Sequence, residues 1–421
     1  MSTINKIYSI LGNREKKVVF NNFLSLTLLQ GANYILPLLV LPFLVRVLGA
    51  EKFGLVMFAQ SFATFLSVFV DFGFNISGTR EISLSRNNTR KISEIFISII
   101  TIKIILILAA FGVLYFAATF FDRFNTDPYV YLLSFGVVIG QALFPAWFFQ
   151  GIEKMQFVSL INILSKTIFT ILIFIFIKSE TDYLMVPVYN SLGFIVSGIF
   201  GILISLRYLK LTTPSLSLTL RLFKESYSLF LSNFALSMYT ASNVFILGLF
   251  SGNIIAGVYS SMEKLILAIK NIYVPIYQAI YPWLSRKKAV QKKNIINKIS
   301  PVIFVFSTLV TLMILLFAKS ILNIIYSNTI ISSYVNVFRV LSFISIFSGL
   351  NMLYNMLYFP SKGLYTLRMK ILICGAVFNV SMNLIVVNFC GIYGVAIIVV
   401  LTELLLFILG YYNFRKSIYN I

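Results

Sequence analysis

The chain has 421 residues, of which 59% are hydrophobic and only 11% charged, with a formal net charge of +21. Water-soluble domains carry about 25% charged residues, so this composition excludes an ordinary soluble fold and makes lipid the fitting solvent. The basic excess alone would suit a nucleic-acid partner, a reading that the placement of the charges removes.

The first twenty residues are polar and basic and lack a cleavage motif, so no secretory signal is expected. Ile4, Ile7, Tyr8 and Leu11 would share one side of a short amphipathic helix. Apolar runs long enough to cross a bilayer then follow in order. They cover residues 20–48, 53–78, 92–120, 129–150, 157–177 and 183–206. After a polar stretch at 207–224 come 227–250, 256–284, 299–317, 333–359, 369–388 and 392–412. The expectation is an all-α integral membrane protein with about twelve transmembrane helices. Ser215–Leu222 alternates polar and apolar residues, a strand signal. An isolated strand leaves its backbone unsatisfied at a membrane, so an extended or helical interfacial segment is expected there.

Lys and Arg crowd alternate loops. One side holds Arg14, Lys16, Lys17, then Arg80, Arg86, Arg90, Lys91, then Arg207, Lys210, Arg221, Lys224, and later Arg286, Lys287, Lys288, Lys292 and Lys293. The opposite side holds only Arg46, Lys52, Arg123, Lys178 and Lys319. By the positive-inside rule both termini are cytoplasmic and the number of spans is even. Topology therefore accounts for the basic excess, and no nucleic-acid role is expected.

A weak internal repeat accompanies this pattern. The turn Gly49-Ala-Glu-Lys-Phe-Gly54 has a counterpart in Gly252-Asn-Ile-Ile-Ala-Gly257, about half the chain later. Six spans separate the copies, so the halves would share one orientation. The expected organisation is a six-helix lobe at 1–206, a cytoplasmic linker at 207–225 and a second six-helix lobe at 226–421. Chance glycine spacing in tight turns is the competing explanation.

Charged residues inside spans are costly, roughly 2.5–3.5 kcal/mol for a central Lys or Arg, and so mark functional candidates. Lys103, Lys166, Lys264 and Glu403 fall at mid-membrane depth, with Lys270 and Glu263 on the same helix. Arg339 and Arg46 lie nearer the outer surface. Arg46, Lys264, Lys270 and Arg339 could line a cationic cavity for an anionic substrate. They could equally snorkel or pair, as Glu263 would with Lys270, which lies seven residues on and shares its face. Asp71 lies about 28 Å into its helix, where a pair with Arg80 competes with an ion-coupling role. Prolines at 37, 42, 145, 187, 275 and 282 mark kinks.

Other chemistries find no support. The chain has no histidine, the commonest proton shuttle and metal ligand. Cys374 and Cys390, roughly 24 Å apart on one helix, cannot bridge. No phosphate loop, carboxylate pair in a loop or catalytic constellation is present, so neither a cofactor nor a metal is expected.

Several segments carry a resemblance. They are Arg46-Val-Leu-Gly-Ala-Glu-Lys-Phe-Gly-Leu55, Phe58-Ala-Gln-Ser61, Asp71-Phe-Gly-Phe74 with Thr79-Arg80-Glu81, Trp147-Phe-Phe-Gln-Gly-Ile-Glu-Lys-Met155 and Gly257-Val-Tyr-Ser-Ser-Met-Glu-Lys264. Together they resemble the O-antigen and polysaccharide flippases of the multidrug/oligosaccharidyl-lipid/polysaccharide exporter superfamily. The resemblance implies two lobes around a central cavity. It also implies movement of an undecaprenyl-pyrophosphate-linked oligosaccharide, an O-antigen or capsule repeat unit, across the bacterial inner membrane by alternating access. Positive charge at Lys264, Lys270, Arg339 and Arg46 would then replace hydration of the pyrophosphate. Ion coupling to H+ or Na+ would involve Glu263 and Glu403, with Asp71 a further candidate. A glycan polymerase and chain-length proteins are candidate partners. The alternatives are a peptidoglycan-precursor flippase or drug antiporter of the same superfamily, and, in another class, a membrane glycan polymerase or glycosyltransferase. A drug antiporter would want acidic groups in the first span, which has none, and such enzymes want a sizeable external loop. An enzyme is not expected.

Overall fold

The structure, a computed structural model, describes residues 13–210, 212–285 and 287–416. The amphipathic segment expected around Ile4–Leu11 lies outside these residues, as does Arg286. Among the described residues all regular structure is helical and no strand occurs. Helix α1 is Asn13–Asp71, α2 Phe74–Leu84, α3 Thr89–Phe120, α4 Asp122–Asn125, α5 Pro128–Leu143 and α6 Ala146–Gly151. Helix α7 is Met155–Phe176, α8 Met185–Leu206, α9 Leu216–Phe250, α10 Gly252–Asn271 and α11 Tyr273–Ser285. Helix α12 is Ala289–Tyr326, α13 Thr329–Ser333, α14 Val335–Ser342, α15 Ile344–Met352, α16 Phe359–Ser361 and α17 Tyr365–Lys416. A π-helical turn, Leu353–Tyr358, joins α15 to α16.

The protein is an all-α membrane protein. Nine helical stretches among the described residues are long and apolar enough to cross a bilayer. Two helices fuse pairs of expected spans: α1 breaks at Gly49 (φ 67°, ψ 173°) and α17 at Gly391 (φ 52°, ψ −135°). Both φ values are positive, which glycine tolerates without a Cβ clash. The eighth expected span is divided between α10 and α11. The fourth is broken at Phe144–Pro145, where proline cannot continue the helical hydrogen bonding. Pro301 sits inside α12. The alternating Ser215–Leu222 segment is helical from Leu216 and runs without a break into α9. Helix, unlike strand, closes its own backbone hydrogen bonds, so the alternation does not decide the structure.

The chain forms two compact units. Unit 1 comprises residues up to Val40 and Ala59–Ser237; unit 2 comprises Leu41–Phe58 and the chain from Met238 onward. Helix α9 therefore contributes its first part to unit 1 and its last part to unit 2.

In unit 1, α5 and α8 meet through small residues, as membrane helices do when backbones approach closely. A Cβ on Gly198 would lie 2.9 Å from the Gly140 carbonyl oxygen, and one on Gly136 2.5 Å from Ser191 Cβ. Helix α2 packs on α6 in the same way, with Gly78 against the Trp147 ring and Gly151 against Ile82. Phe72 occupies the left-handed region at φ 48° beside Gly73 at φ 81°. Its ring is sandwiched between Phe223 at 4.4 Å and Phe230 at 4.7 Å. Ser77 and Ser226 hydroxyls meet at 2.7 Å, and Arg221 bridges to Glu81 at 3.1 Å. These contacts bind the first part of α9 to α2.

In unit 2, the Gly49–Gly54 and Gly252–Gly257 turns pack against one another. Phe58 stacks on Phe245 at 5.3 Å, in the space left by the missing side chain of Gly248. The Tyr273 hydroxyl meets Ser307 Oγ at 2.7 Å, and the Tyr277 hydroxyl donates to the Gly349 carbonyl at 2.8 Å. Large apolar side chains such as Leu108, Phe120, Leu316 and Phe389 face outward, while many Ser, Thr and Asn side chains are buried. That distribution suits a hydrocarbon surround.

Candidate functional site

The interior of unit 2 holds a connected set of polar and charged side chains. Four helical regions supply it. Helix α9 presents Tyr239, Ser242 and Asn243 at three- and four-residue spacing, hence on one face. Helix α10 presents Glu263 and Lys270, two turns apart. The α15–π segment presents Asn351 and Asn355, and α17 presents Asn379 and Asn383 before its break and Thr402 and Glu403 after it. The Gly391 break allows one continuous stretch of chain to contribute two polar faces. The π-helical turn is the kind of local irregularity that often accompanies function.

Glu403 is the centre of one cluster. Lys270 Nζ lies 2.5 Å from its Oε1, and the Tyr239 hydroxyl donates to the same oxygen. Asn351 Nδ2 donates to Oε2 at 2.9 Å, and Asn355 Nδ2 donates to Asn351 Oδ1 at 2.6 Å. The carboxylate is 1% exposed and the Lys270 side chain 16%, so the pair sits in a medium where an unpartnered charge would be costly. Lys270 also lies 5.3 Å from the Tyr239 ring centroid.

A second cluster surrounds Glu263. Asn243 Nδ2 donates to its Oε1 at 3.3 Å, and Asn383 Nδ2 donates to Asn243 Oδ1 at 3.0 Å. Asn383 also reaches Asn379 Oδ1, which accepts from Ser242 as well, and Asn379 Nδ2 donates to Thr402 Oγ1 at 3.2 Å. Between the two clusters lies a cavity of about 30 Å³ lined by Tyr239, Asn243, Glu263, Lys270 and Glu403. That is room for about one or two waters.

The seven expected site residues thus separate. Lys270, Glu263 and Glu403 come together. The expected Glu263–Lys270 pair does not form; Lys270 pairs with Glu403, because the α17 break brings that carboxylate to the same face. Arg46 is exposed, and its Nη2 donates to the Ile324 and Ile325 carbonyls at 2.7 Å each. These carbonyls end α12, where a cation meets the negative end of the helix dipole. Arg339 donates to the Leu315 carbonyl at 3.3 Å and to Asn336 Oδ1 at 3.0 Å. Lys264 is half-buried and has no hydrogen bond or ion pair among the described residues. Asp71 belongs to unit 1. It accepts from Lys103 Nζ at 3.2 Å and from Asn75 at 2.8 Å, so its partner is Lys103 and not the expected Arg80. Asp71 ends α1 and Asn75 lies in the first turn of α2, across the left-handed Phe72–Gly73 break, and Lys103 is buried beside them.

Sequence reasoning missed Tyr239, Asn243, Asn351, Asn355, Asn379, Asn383 and Thr402. A signal existed. Two pairs of asparagines four residues apart inside apolar runs place amide groups on one face, an arrangement that hydrocarbon penalises unless partners exist. Among the described residues no group of His, Cys, Asp and Glu side chains could hold a metal ion. Cys374 and Cys390 are both free and exposed.

Comparison with known proteins adds the following. The model of a family described as polysaccharide biosynthesis protein matches residues 19–288. A protein of Escherichia coli (strain K12) named "Putative O-antigen transporter" is 31% identical over 302 residues, 71% of each chain. A protein of the same name from Shigella dysenteriae is 32% identical over 269 residues, 63% of this chain and 67% of that one. Among solved structures, the lipid II flippase MurJ in an inward closed conformation superposes with a TM-score of 0.73 at 13% identity, covering 94% of this chain and 87% of that one. A multidrug resistance MATE family transporter of the MOP superfamily, inward-facing, gives 0.72 at 15% identity over 91% and 95%. These likenesses establish the fold.

Proposed function

Because this chain belongs to the polysaccharide biosynthesis protein family, we propose that it is a flippase for an undecaprenyl-pyrophosphate-linked oligosaccharide. It carries the O-antigen or capsule repeat unit across the bacterial inner membrane and catalyses no covalent reaction. Both termini are cytoplasmic in this reading, as the loop charges favour. The supporting relatives are named for O-antigen transport.

The observation that carries the reading is the buried Lys270–Glu403–Glu263 assembly in a membrane-spanning unit. Intramembrane ionisable groups facing an internal cavity are costly and persist for transport or relay. Lys270 and Lys264 serve the pyrophosphate as charge-assisted donors. Arg46 and Arg339 already use donors on backbone carbonyls, so they hold α12 and contribute background charge. Glu263 and Glu403 are the ion-coupling groups for H+ or Na+; Asp71 holds Lys103 and is secondary. A glycan polymerase and its chain-length partners would receive the flipped unit. Drug export draws support from the fold alone, and a net-basic set of intramembrane charges suits a cationic drug poorly.

Deletion of the gene in its own host tests the proposal. Lipid-linked repeat units should accumulate on the cytoplasmic side and surface glycan should fall. Normal surface glycan with no accumulation would overturn it.

A further inference from the structure

Unit 2 holds three acids, Glu51, Glu263 and Glu403, and none occurs between Lys264 and Thr402 or after Glu403. The end of this unit where α12 and α17 begin is therefore cationic without a carboxylate of its own. In unit 1 the loop cations have acidic partners: Arg86 meets Glu153 at 2.8 Å, Arg221 meets Glu81 at 3.1 Å and Arg90 meets Glu94 at 3.3 Å. The positive-inside bias explains exposed cations such as Lys288, Lys298 and Lys370. It does not explain cations sunk into the protein. Lys292 is 7% exposed, and its Nζ donates to the Ser361 carbonyl, a neutral acceptor. Lys362, the residue after Ser361, places a second ammonium close enough to act on the first. Arg368 has no side-chain hydrogen bond or ion pair among the described residues, and its Nε is sealed from solvent without an acceptor. Lys292 and Arg368 each lie in the first turn of their helices, where the positive end of the helix dipole opposes a cation.

We propose that Lys292, Lys362 and Arg368 form a binding site for the phosphodiester headgroup of an anionic phospholipid. The chain itself gathers the three. Lys292 is bonded to the last residue of α16, Lys362 follows that residue, and Arg368 lies just inside α17, its backbone N–H on the Leu364 carbonyl at 3.1 Å. The turn between α16 and α17 is tight: Gly363 takes φ 74°, and the Leu364 N–H returns to the Phe359 carbonyl at 2.9 Å. An ammonium has three donors, and Lys292 spends one of them on Ser361. The Arg368 fork is free to take two phosphoryl oxygens at once, while the lysines act as point charges. One phosphoryl negative charge would supply the counter-charge that this end of the unit lacks. The site lies at the ends of spanning helices, where anionic headgroups are concentrated and basic pockets between helices take them up. Helix α12 goes on into outward-facing Val302, Val305 and Leu309, a hydrocarbon wall for the acyl chains. The inference goes beyond the flippase reading and does not depend on what the protein carries.

The test uses the full chain purified in an uncharged detergent. Phosphatidylglycerol, a phosphodiester anion, is compared with phosphatidylcholine at equal mole fraction, with native mass spectrometry reading bound lipid and thermal unfolding reading stability. Wild type should retain phosphatidylglycerol in preference to phosphatidylcholine, and its unfolding temperature should rise with the anionic lipid alone. Arg368→Gln, which breaks no polar contact within the protein, should weaken phosphatidylglycerol binding about tenfold or more, and Lys292→Gln likewise. Arg368→Lys keeps the charge but loses the fork and should fall between Arg368→Gln and wild type. Lys298→Gln removes the same charge from an exposed position on α12 and should weaken binding by no more than about twofold. Equal losses in Lys298→Gln and Arg368→Gln would overturn the site, because diffuse surface charge would then account for the binding. Equal retention of the two lipids by wild type would overturn it too, and that measurement needs no variant to fold. Capture of a short-chain prenyl-pyrophosphoryl sugar through Arg368 without capture of phosphatidylglycerol would give the site to the carried lipid and overturn the phospholipid assignment. Normal surface glycan after gene deletion, with phosphatidylglycerol still held through Arg368, would overturn the flippase reading and support this inference.

Discussion

Gly54 and Gly257 pack backbone on backbone. A Cβ on Gly257 would lie 3.0 Å from Gly54 Cα and would collide with the Ala50 carbonyl oxygen; one on Gly54 would collide with the Asn253 carbonyl oxygen and lie 2.7 Å from Gly257 N. Each glycine thus meets the carbonyl four residues before the other. The two turns that share glycine spacing in the sequence are packing partners, related by an approximate local two-fold. Gly49 and Gly252, which open the two turns, both have positive φ, at 67° and 86°.

This close approach makes the crossing intolerant of side chains. Gly54→Val or Gly257→Val should destabilise the protein by about 1–3 kcal/mol or more, since the colliding atoms are backbone and cannot rotate away. The check is the unfolding temperature of the purified variants in detergent. A Gly112→Ala control, inside a helix at a site where nothing lies within 4 Å, should not lower it.

The Lys270–Glu403 pair should show strong coupling. Removing either partner alone leaves a buried charge and should cost about 3–5 kcal/mol, whereas replacing both by apolar residues of similar volume should cost little. A double-mutant cycle with Lys270→Met and Glu403→Met, read by thermal unfolding, measures this. Additive losses would mean that the two side chains do not act as a pair.

Asp71 and Lys103 pose the same question in unit 1. If Asp71 serves chiefly to neutralise Lys103, then Asp71→Asn should lower stability, and Asp71→Asn with Lys103→Met should recover it along with surface glycan. A double variant that is stable yet produces no surface glycan would give Asp71 a part in transport.

Phe72 tests the join between α2 and α9. Phe72→Ala removes a ring sandwiched between Phe223 and Phe230 and should cost about 3–5 kcal/mol. Phe72→Gly removes the same ring but relieves the left-handed backbone at φ 48°. It should therefore be the milder of the two, a ranking that thermal unfolding can read directly.

Lys264 separates binding from stability. It has no hydrogen bond or ion pair among the described residues, so the neutral Lys264→Gln, which sets no second acid beside buried Glu263, should leave the amount of protein in the membrane unchanged while lowering surface glycan severalfold. Unchanged glycan would remove Lys264 from the substrate path.

The amino-acid sequence by itself determined the membrane class and the succession of apolar helices, and it marked the break at Pro145, but α1 runs on through Pro37 and Pro42 and the break at Gly391 was not marked. What it determined follows from runs of apolar side chains and from proline, properties each residue carries locally. It also marked Glu263, Lys270 and Glu403 as anomalous, because a charge in an apolar run is costly whatever its neighbours. Only the tertiary structure decided who partners whom. Lys270 meets Glu403 and not Glu263, and Asp71 meets Lys103 and not Arg80, because helix rotation and the break at Gly391 bring distant faces together. Arg46 looked like a cavity cation, yet it caps α12 far along the chain. The asparagine network was half legible: four-residue spacing put Asn351 with Asn355 and Asn379 with Asn383, but periodicity fixes a face of a helix and not the direction in which that face points.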